Sequence, residues 1–404
     1  MKTSSTNKLA LAAGAALAAT LAACGGGGDP AQPPVTTMGT LGIALTDAPA
    51  CGFDAVNVTV NKVRVHRSAT AGETESGWTD ITLSPAKKIN LLNLTNGVLE
   101  PLGQAPLEAG KYSQLRLVLD PNTGNGLANS VVPTGGAEVT LDTPSALQSG
   151  VKLVNEFEVK AGEKVDLVLD FDACKSVVTK GGAARYSLKP VVKVIPTAIN
   201  GISGVIDPAL AASNVTITAQ QNGNVIAATA PTATGEFMLA RLAPGNYDVV
   251  ITADGKAASV VSAVPVATAS SNVTLSTTAA PITMADSAQS SISGTATLTP
   301  ASTTEAAYVA ARQGFASGPL VTIRYKGADL ATGAYTIDKL PVAAPQYAVY
   351  SATLPIAFAA ATTTVSPGAG KYRVDASATG YVAKTVESLD IATPQTGVNF
   401  NLTP

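Results

Sequence analysis

Val56-Asn57-Val58-Thr59-Val60-Asn61-Lys62-Val63-Arg64-Val65-His66 is the stretch from which the rest of the chain reads most directly. Val56, Val58 and Val60 alternate with polar residues, the period of a strand with one buried face. The phase then jumps to Val63 and Val65, which predicts a β-bulge near Asn61. The same signal recurs outward along the chain. Leu115, Leu117 and Leu119 share one face with Gln114 and Arg116 opposite, and Val165, Leu167 and Leu169 lead into Asp170-Phe171-Asp172. Turn clusters separate these runs at the spacing of a sandwich or barrel, and no long amphipathic helix interrupts them. The expected class is all-β, built as tandem antiparallel β-sandwich domains.

Composition agrees with that class. Hydrophobic residues are 46% of the chain and charged residues 13%, about half the ~25% charge of an ordinary domain. A low-charge chain with 36 Gly and 25 Pro suits short strands and tight turns. No basic patch points to nucleic acid.

The N-terminus carries an address. Lys2 and Lys8 precede an Ala/Leu run from Leu9 to Thr20 and then small residues, the order of a secretory signal. The run is too short for the roughly 20 residues of a membrane span. Leu21-Ala22-Ala23-Cys24 resembles the bacterial lipobox, which implies cleavage of residues 1–23 and a lipid of the palmitate kind on Cys24. Two or more acyl chains give a stable anchor, so the membrane is the first expected partner. Gly25 after the cysteine implies sorting to the bacterial outer membrane, on the periplasmic or the outer side. Residues 24–38, with Gly25-Gly26-Gly27-Gly28 and Pro30, Pro33 and Pro34, read as a tether reaching on the order of 20 Å. Loss of Lys2 and Lys8 takes the 26 basic residues to 24 against 28 acidic ones, a net charge of −4.

With Cys24 lipidated, Cys51 and Cys174 remain in a compartment where disulfides persist. They are expected to pair, two separate buried thiols being the alternative.

Leu45-Thr46-Asp47-Ala48-Pro49, Val63-Arg64-Val65-His66, Gly110-Lys111-Tyr112-Ser113-Gln114-Leu115-Arg116-Leu117, Asp170-Phe171-Asp172-Ala173-Cys174-Lys175-Ser176 and Leu188-Lys189-Pro190-Val191-Val192 occur in that order. Together they resemble the bacterial domain-of-unknown-function family 4382, over a first domain drawn at residues 39–198. The resemblance implies an exported protein and brings no chemistry.

The remainder holds an internal repeat. Ile202-Ser203-Gly204 recurs as Ile292-Ser293-Gly294, Thr234-Gly235-Glu236-Phe237 as Thr332-Gly333-Ala334-Tyr335, Pro244-Gly245-Asn246-Tyr247 as Ala369-Gly370-Lys371-Tyr372, and Val273 with Leu275 as Val398 with Phe400. Insertions of 8 and 27 residues in the second copy account for the changing offset and are expected in loops. Each copy resembles the carboxypeptidase regulatory-like, transthyretin-like sandwich. The copies are drawn at 199–278 and 291–404 with a linker at 279–290. Pro244-Gly245 suits a type II turn, and Glu305 to Gln313 suggests a short helix.

One histidine excludes a multi-histidine zinc site and leaves a Ser-His-Asp triad without support. His66 reads as a surface or strand-end residue and Trp78 as a core or strand-edge residue. Ser84-Pro85-Ala86-Lys87 spells Ser-x-x-Lys without its companion motifs. Asp120-Pro121-Asn122-Thr123-Gly124-Asn125-Gly126 fails as an EF-hand and reads as a β-turn. One constellation stands out. A Cys51–Cys174 bond would draw Asp47 towards Asp170 and Asp172, three carboxylates for a hard cation such as calcium. The alternative has Asp47 in an Asx-type turn before Pro49, with Asp170 and Asp172 on opposite faces of a strand end. No cofactor is required by any of this. The expected function is a non-catalytic envelope module for binding, adhesion or structure, with an envelope protein or saccharide as ligand. The rival readings are an accessory or degradative enzyme acting through carboxylates of the first domain, and a spacer without a ligand.

Overall fold

The computed structural model describes residues 37–48, 52–124, 126–144, 150–153, 156–181, 185–195, 200–210, 212–268, 271–302, 305–359 and 365–404. The stretch expected to be a signal peptide, Cys24, the residues read as a tether up to 36, and Cys51 lie outside the described residues.

Two sheets make the first unit. A four-stranded sheet runs in the order Val192–Ile195, Lys164–Asp172, Met38–Ala48, Glu100–Glu108. An eight-stranded sheet centres on Phe53–His66, paired with Thr79–Asn90, Gln114–Leu119 and Ser130–Pro133. Val56, Val58, Val60 and Val63 are fully buried between the sheets, as their alternation predicts. The register shifts between Val60 and Lys62, so the bulge falls where the phase of the valines jumps. Pairing is not uniformly antiparallel: Met38–Ala48 runs parallel to Lys164–Asp172.

The two repeats share one topology. In the first, Gly201–Val205 lies between Glu236–Ala240 and Asn272–Thr274; in the second, Gln289–Leu298 lies between Ala334–Pro341 and Phe400–Leu402. The larger sheets also correspond: Asn224–Thr229, Thr216–Gln221, Gly245–Thr252 and Ser259–Val266 against Leu320–Gly327, Tyr308–Phe315, Lys371–Ser377 and Lys384–Asp390. First and last strands close each repeat in parallel, Ile202 opposite Val273 and Ala296 opposite Phe400. The same bulge recurs too, between Tyr247 and Val249 and between Tyr372 and Val374.

Four expectations change. Tyr308–Phe315 is a strand, not a helix; its alanines favour helix, but Val309, Ala311 and Gln313 bury on one face with period two. Gly245, at φ +158°, opens a strand and lacks the φ near +80° that a type II turn requires. The second insertion is no simple loop. Its strand Gln346–Val349 pairs parallel with Ser259–Val266 of the first repeat, and Ala348 and Ile356 enter the first repeat's core. Within the stretch drawn as a linker, Ile282 and Met284 join that core as well.

The larger sheet of the first repeat is buried on both sides. Val249, Ile251 and Val261 face their own repeat, whereas Val250 and Val260 pack into the core of the second. Val249-Val250-Ile251 is accordingly a continuous apolar run, the pattern of a strand covered on both faces.

Candidate functional site

The three carboxylates expected to hold a cation are divided across a sheet. Asp47 pairs in register with Phe171, and registered partners point to the same side, so Asp47 continues the core face of Leu41, Ile43 and Leu45. Its Oδ1 accepts a hydrogen bond from the Ala173 backbone N–H at 3.1 Å, across the sheet; Pro49, and with it the expected Asx-type turn, lies outside the described residues. Asp170 and Asp172, two residues apart on one strand, share the opposite face. Asp172 caps the turn Ala173–Ser176 by accepting from Lys175 N and pairs with Lys175 Nζ at 2.9 Å. Asp170 lies in the field of Arg241 from the first repeat. Among the described residues no group of three or more His, Cys, Asp or Glu is arranged to hold a metal ion. Asp170 and Asp172 therefore belong to the seam between units.

His66 ends its strand but is buried, 8% exposed. The Ser68 backbone N–H donates to Nδ1 at 2.9 Å, which leaves Nε2 to donate to the Ser76 carbonyl at 3.0 Å. Both ring nitrogens thus fasten the 67–78 loop onto the sheet. The Trp78 ring lies close to the guanidinium groups of both Arg64 and Arg116, 4.9 and 4.7 Å from the centroid. This loop explains why Gln114 and Arg116, expected to face outward, are buried; Arg116 Nη2 donates to the Ala71 carbonyl at 2.7 Å. The Ser-x-x-Lys lysine, Lys87, is ion-paired with Glu100. In the loop after Asp120, Asn129 Nδ2 donates to the Asp120 carbonyl and Asn129 Oδ1 accepts from Thr59 N. That loop is stapled by a buried amide.

A polar cleft of about 550 Å³ opens where the larger sheet of the first repeat meets the second repeat. Its walls are Asn246 and Asp248 on one strand, Ser262 on the next, Tyr347 on the inserted strand and the Ser317–Pro319 turn. The bulge re-aims the residues at its centre: Asp248 has no partner in the register with Ser259–Val266, and Ala263 stands at φ +56°. Asp248 Oδ1 accepts from Ala263 N at 3.3 Å, and burial raises its carboxyl above the usual range. The Tyr347 phenol hydrogen-bonds the Ser262 hydroxyl at 2.8 Å, and its ring stacks on Phe315 at 4.1 Å. Neither the repeat nor the composition signalled this cleft, because its wall comes from an insertion without a counterpart.

Residues 38–190 match the family described as Domain of unknown function (DUF4382). No curated protein matches the chain. Among solved structures, the Bacillus anthracis TIE protein is similar at 12% identity and TM-score 0.17, over 91% of this chain and 50% of that one, so the chain spans half its length. The Streptococcal ancillary pilin is similar at 9% identity and TM-score 0.17, over 91% and 99% of the two chains. The Corynebacterium diphtheriae major pilin SpaA is similar at 12% identity and TM-score 0.19, over 91% and 100%.

Proposed function

We propose that this chain is a non-catalytic module of the bacterial cell envelope, lipidated at Cys24 and held at the outer membrane, whose β body binds or supports another envelope component. The observation that carries this reading is the way the three cores lock together. Asn96 of the first unit accepts from Met238 N and from the Thr229 hydroxyl, and donates to the Ala230 carbonyl. Gln220 of the first repeat exchanges two 2.8 Å hydrogen bonds with the backbone of Thr322 in the second. Tyr308 of the second repeat donates to the Lys175 carbonyl of the first unit, and Asp329 accepts from Gly181 N at 3.0 Å. Residues 37–404 accordingly cluster as one compact unit. A locked body behind a lipid anchor suits presentation of a surface at a membrane. The lone histidine and the first unit's best-placed carboxylates are spent on holding loops and seams, which speaks against the enzyme reading.

The repeats are read here as transthyretin-like sandwiches, on their shared motifs and strand order. We further infer a Cys51–Cys174 disulfide. Ala48 and Asp172 are registered partners where two parallel strands end; Cys51 follows the first by three residues and Cys174 the second by two.

Protease treatment of intact cells tests the placement, beside a Cys24→Ala variant. The wild-type chain is expected in the membrane fraction and the variant in the soluble fraction. A variant that stays membrane-bound would overturn the anchor. Digestion of intact cells would place the body outside; protection until the outer membrane is opened would place it in the periplasm.

A further inference from the structure

The cleft between the repeats combines features that a mere seam does not need. Both repeats carry the same strand bulge, with Asp248 in the first and Arg373 in the second at the bulged position. Ala263 and Ser388 take the same φ of +56° on the opposing strands. In the second repeat the bulged side chain is consumed locally, since Arg373 pairs with Asp375 and Glu387. In the first repeat it is not. Asp248 Oδ1 meets Ala263 N, and Asp248 Oδ2 accepts no hydrogen bond among the described residues. Around it the side-chain amides of Asn222 and Asn246 and the hydroxyl of Ser317 line the cleft and also lack hydrogen bonds among the described residues.

We propose that this cleft binds a neutral saccharide. The polar groups along it include a carboxylate that only accepts, amides that do both and hydroxyls that do both, a set matched by sugar hydroxyls, each of which donates and accepts. The Tyr347 ring, fixed against Phe315 at an interplanar angle of 20°, supplies a flat wall for the apolar face of a sugar ring. No Lys or Arg lines the cleft among the described residues, so an anionic ligand would have no cation to meet. A single carboxylate falls well short of the roughly six to eight oxygen ligands of calcium. The volume lies inside the ~300–1,000 Å³ range of small-ligand clefts. Gly318 completes the wall: a Cβ there would lie 2.6 Å from the Tyr347 phenol oxygen, so a side chain at this position would push the turn and the ring apart.

Saccharide binding deepens the reading of the chain as a binding module, and the two fail separately. The test uses the full chain in a sugar-free detergent, with linear trisaccharides of glucose, mannose, galactose and N-acetylglucosamine as probes in saturation-transfer NMR and calorimetric titration. At least one trisaccharide is expected to bind, and Asp248→Asn and Asn246→Ala are each expected to weaken it by about tenfold. Asn246 is exposed, so its variant reports on binding even where Asp248→Asn disturbs the bulge. Absence of binding by all four probes, or unchanged affinity in both variants, would overturn the role of the cleft. A chain that binds no trisaccharide but still needs Cys24 for membrane attachment would keep its anchor and lose only this site.

Discussion

Gly235 stands at φ +84°, and a Cβ on it would lie 2.1 Å from the Ile206 carbonyl oxygen. Gly333, its counterpart, stands at φ +70° with the Ala296 carbonyl 2.9 Å from the same imagined atom. Each glycine carbonyl accepts from the facing backbone N–H, Ile206 N to Gly235 and Ala296 N to Gly333. The Thr-Gly-x-Phe/Tyr motif is thus legible in the sequence for a physical reason: both a left-handed residue and a missing side chain are needed at one place. Gly235→Ala is expected to destabilise the chain by about 1–3 kcal/mol, read as a lower urea midpoint at unchanged slope. An unchanged midpoint would contradict the close approach. Other residues that matter at this scale were not legible. Asn96, at φ +57°, sits in Thr95-Asn96-Gly97, which reads as an ordinary turn; nothing local reveals that its amide bonds a segment more than 130 residues away. Asp47 and Asp172 were legible as a pair of chemistry-bearing groups but not as parts of opposite sheet faces, because only the parallel register separates them.

At the scale of elements, alternation identified the strands whose one face is buried, and it failed where packing adds a second cover. Gln114 and Arg116 read as solvent-facing, and a loop pinned by His66 and Trp78 buries them. Gln346–Val349 was lost inside an insertion, being four residues long and supported by pairing with another repeat and not by its own pattern. The parallel pair Met38–Ala48 and Lys164–Asp172 has a consequence for the cysteines, since both chains leave the sheet at the same end. A disulfide there would close a loop of more than 120 residues, worth about 4 to 5 kcal/mol on the chain-entropy estimate. Non-reducing digestion followed by mass spectrometry is expected to recover one peptide pair joined through Cys51 and Cys174. Recovery of both cysteines as alkylatable thiols from the exported protein would overturn the pairing.

Across the whole molecule, the repeat was legible and the coupling between its copies was not. The sheet of the first repeat serves two cores at once, through Val249 and Ile251 on one face and Val250 and Val260 on the other. Polar ties run beside this apolar contact. Asp254 of the first repeat accepts from Asn214 and meets Arg324 and Lys339 of the second at 2.9 and 2.6 Å, and these partners hold its carboxyl below the usual range against the opposing effect of burial. A carboxyl held low in the folded state favours folding above its unfolded pKa and loses that contribution as the pH falls through the folded one. Such ties cross each seam, with Asn96, Gln220 and Tyr308 as the others, and the three β cores are expected to behave as one body. Differential scanning calorimetry of the full chain and of Asn96→Ala measures that coupling directly. One cooperative transition is expected for the wild type, with calorimetric and van't Hoff enthalpies in agreement. In Asn96→Ala, which removes three hydrogen bonds between the first unit and the first repeat, a separate, earlier transition should split away. Several transitions in the wild type, or a variant that melts as the wild type does, would contradict the account of a single locked body.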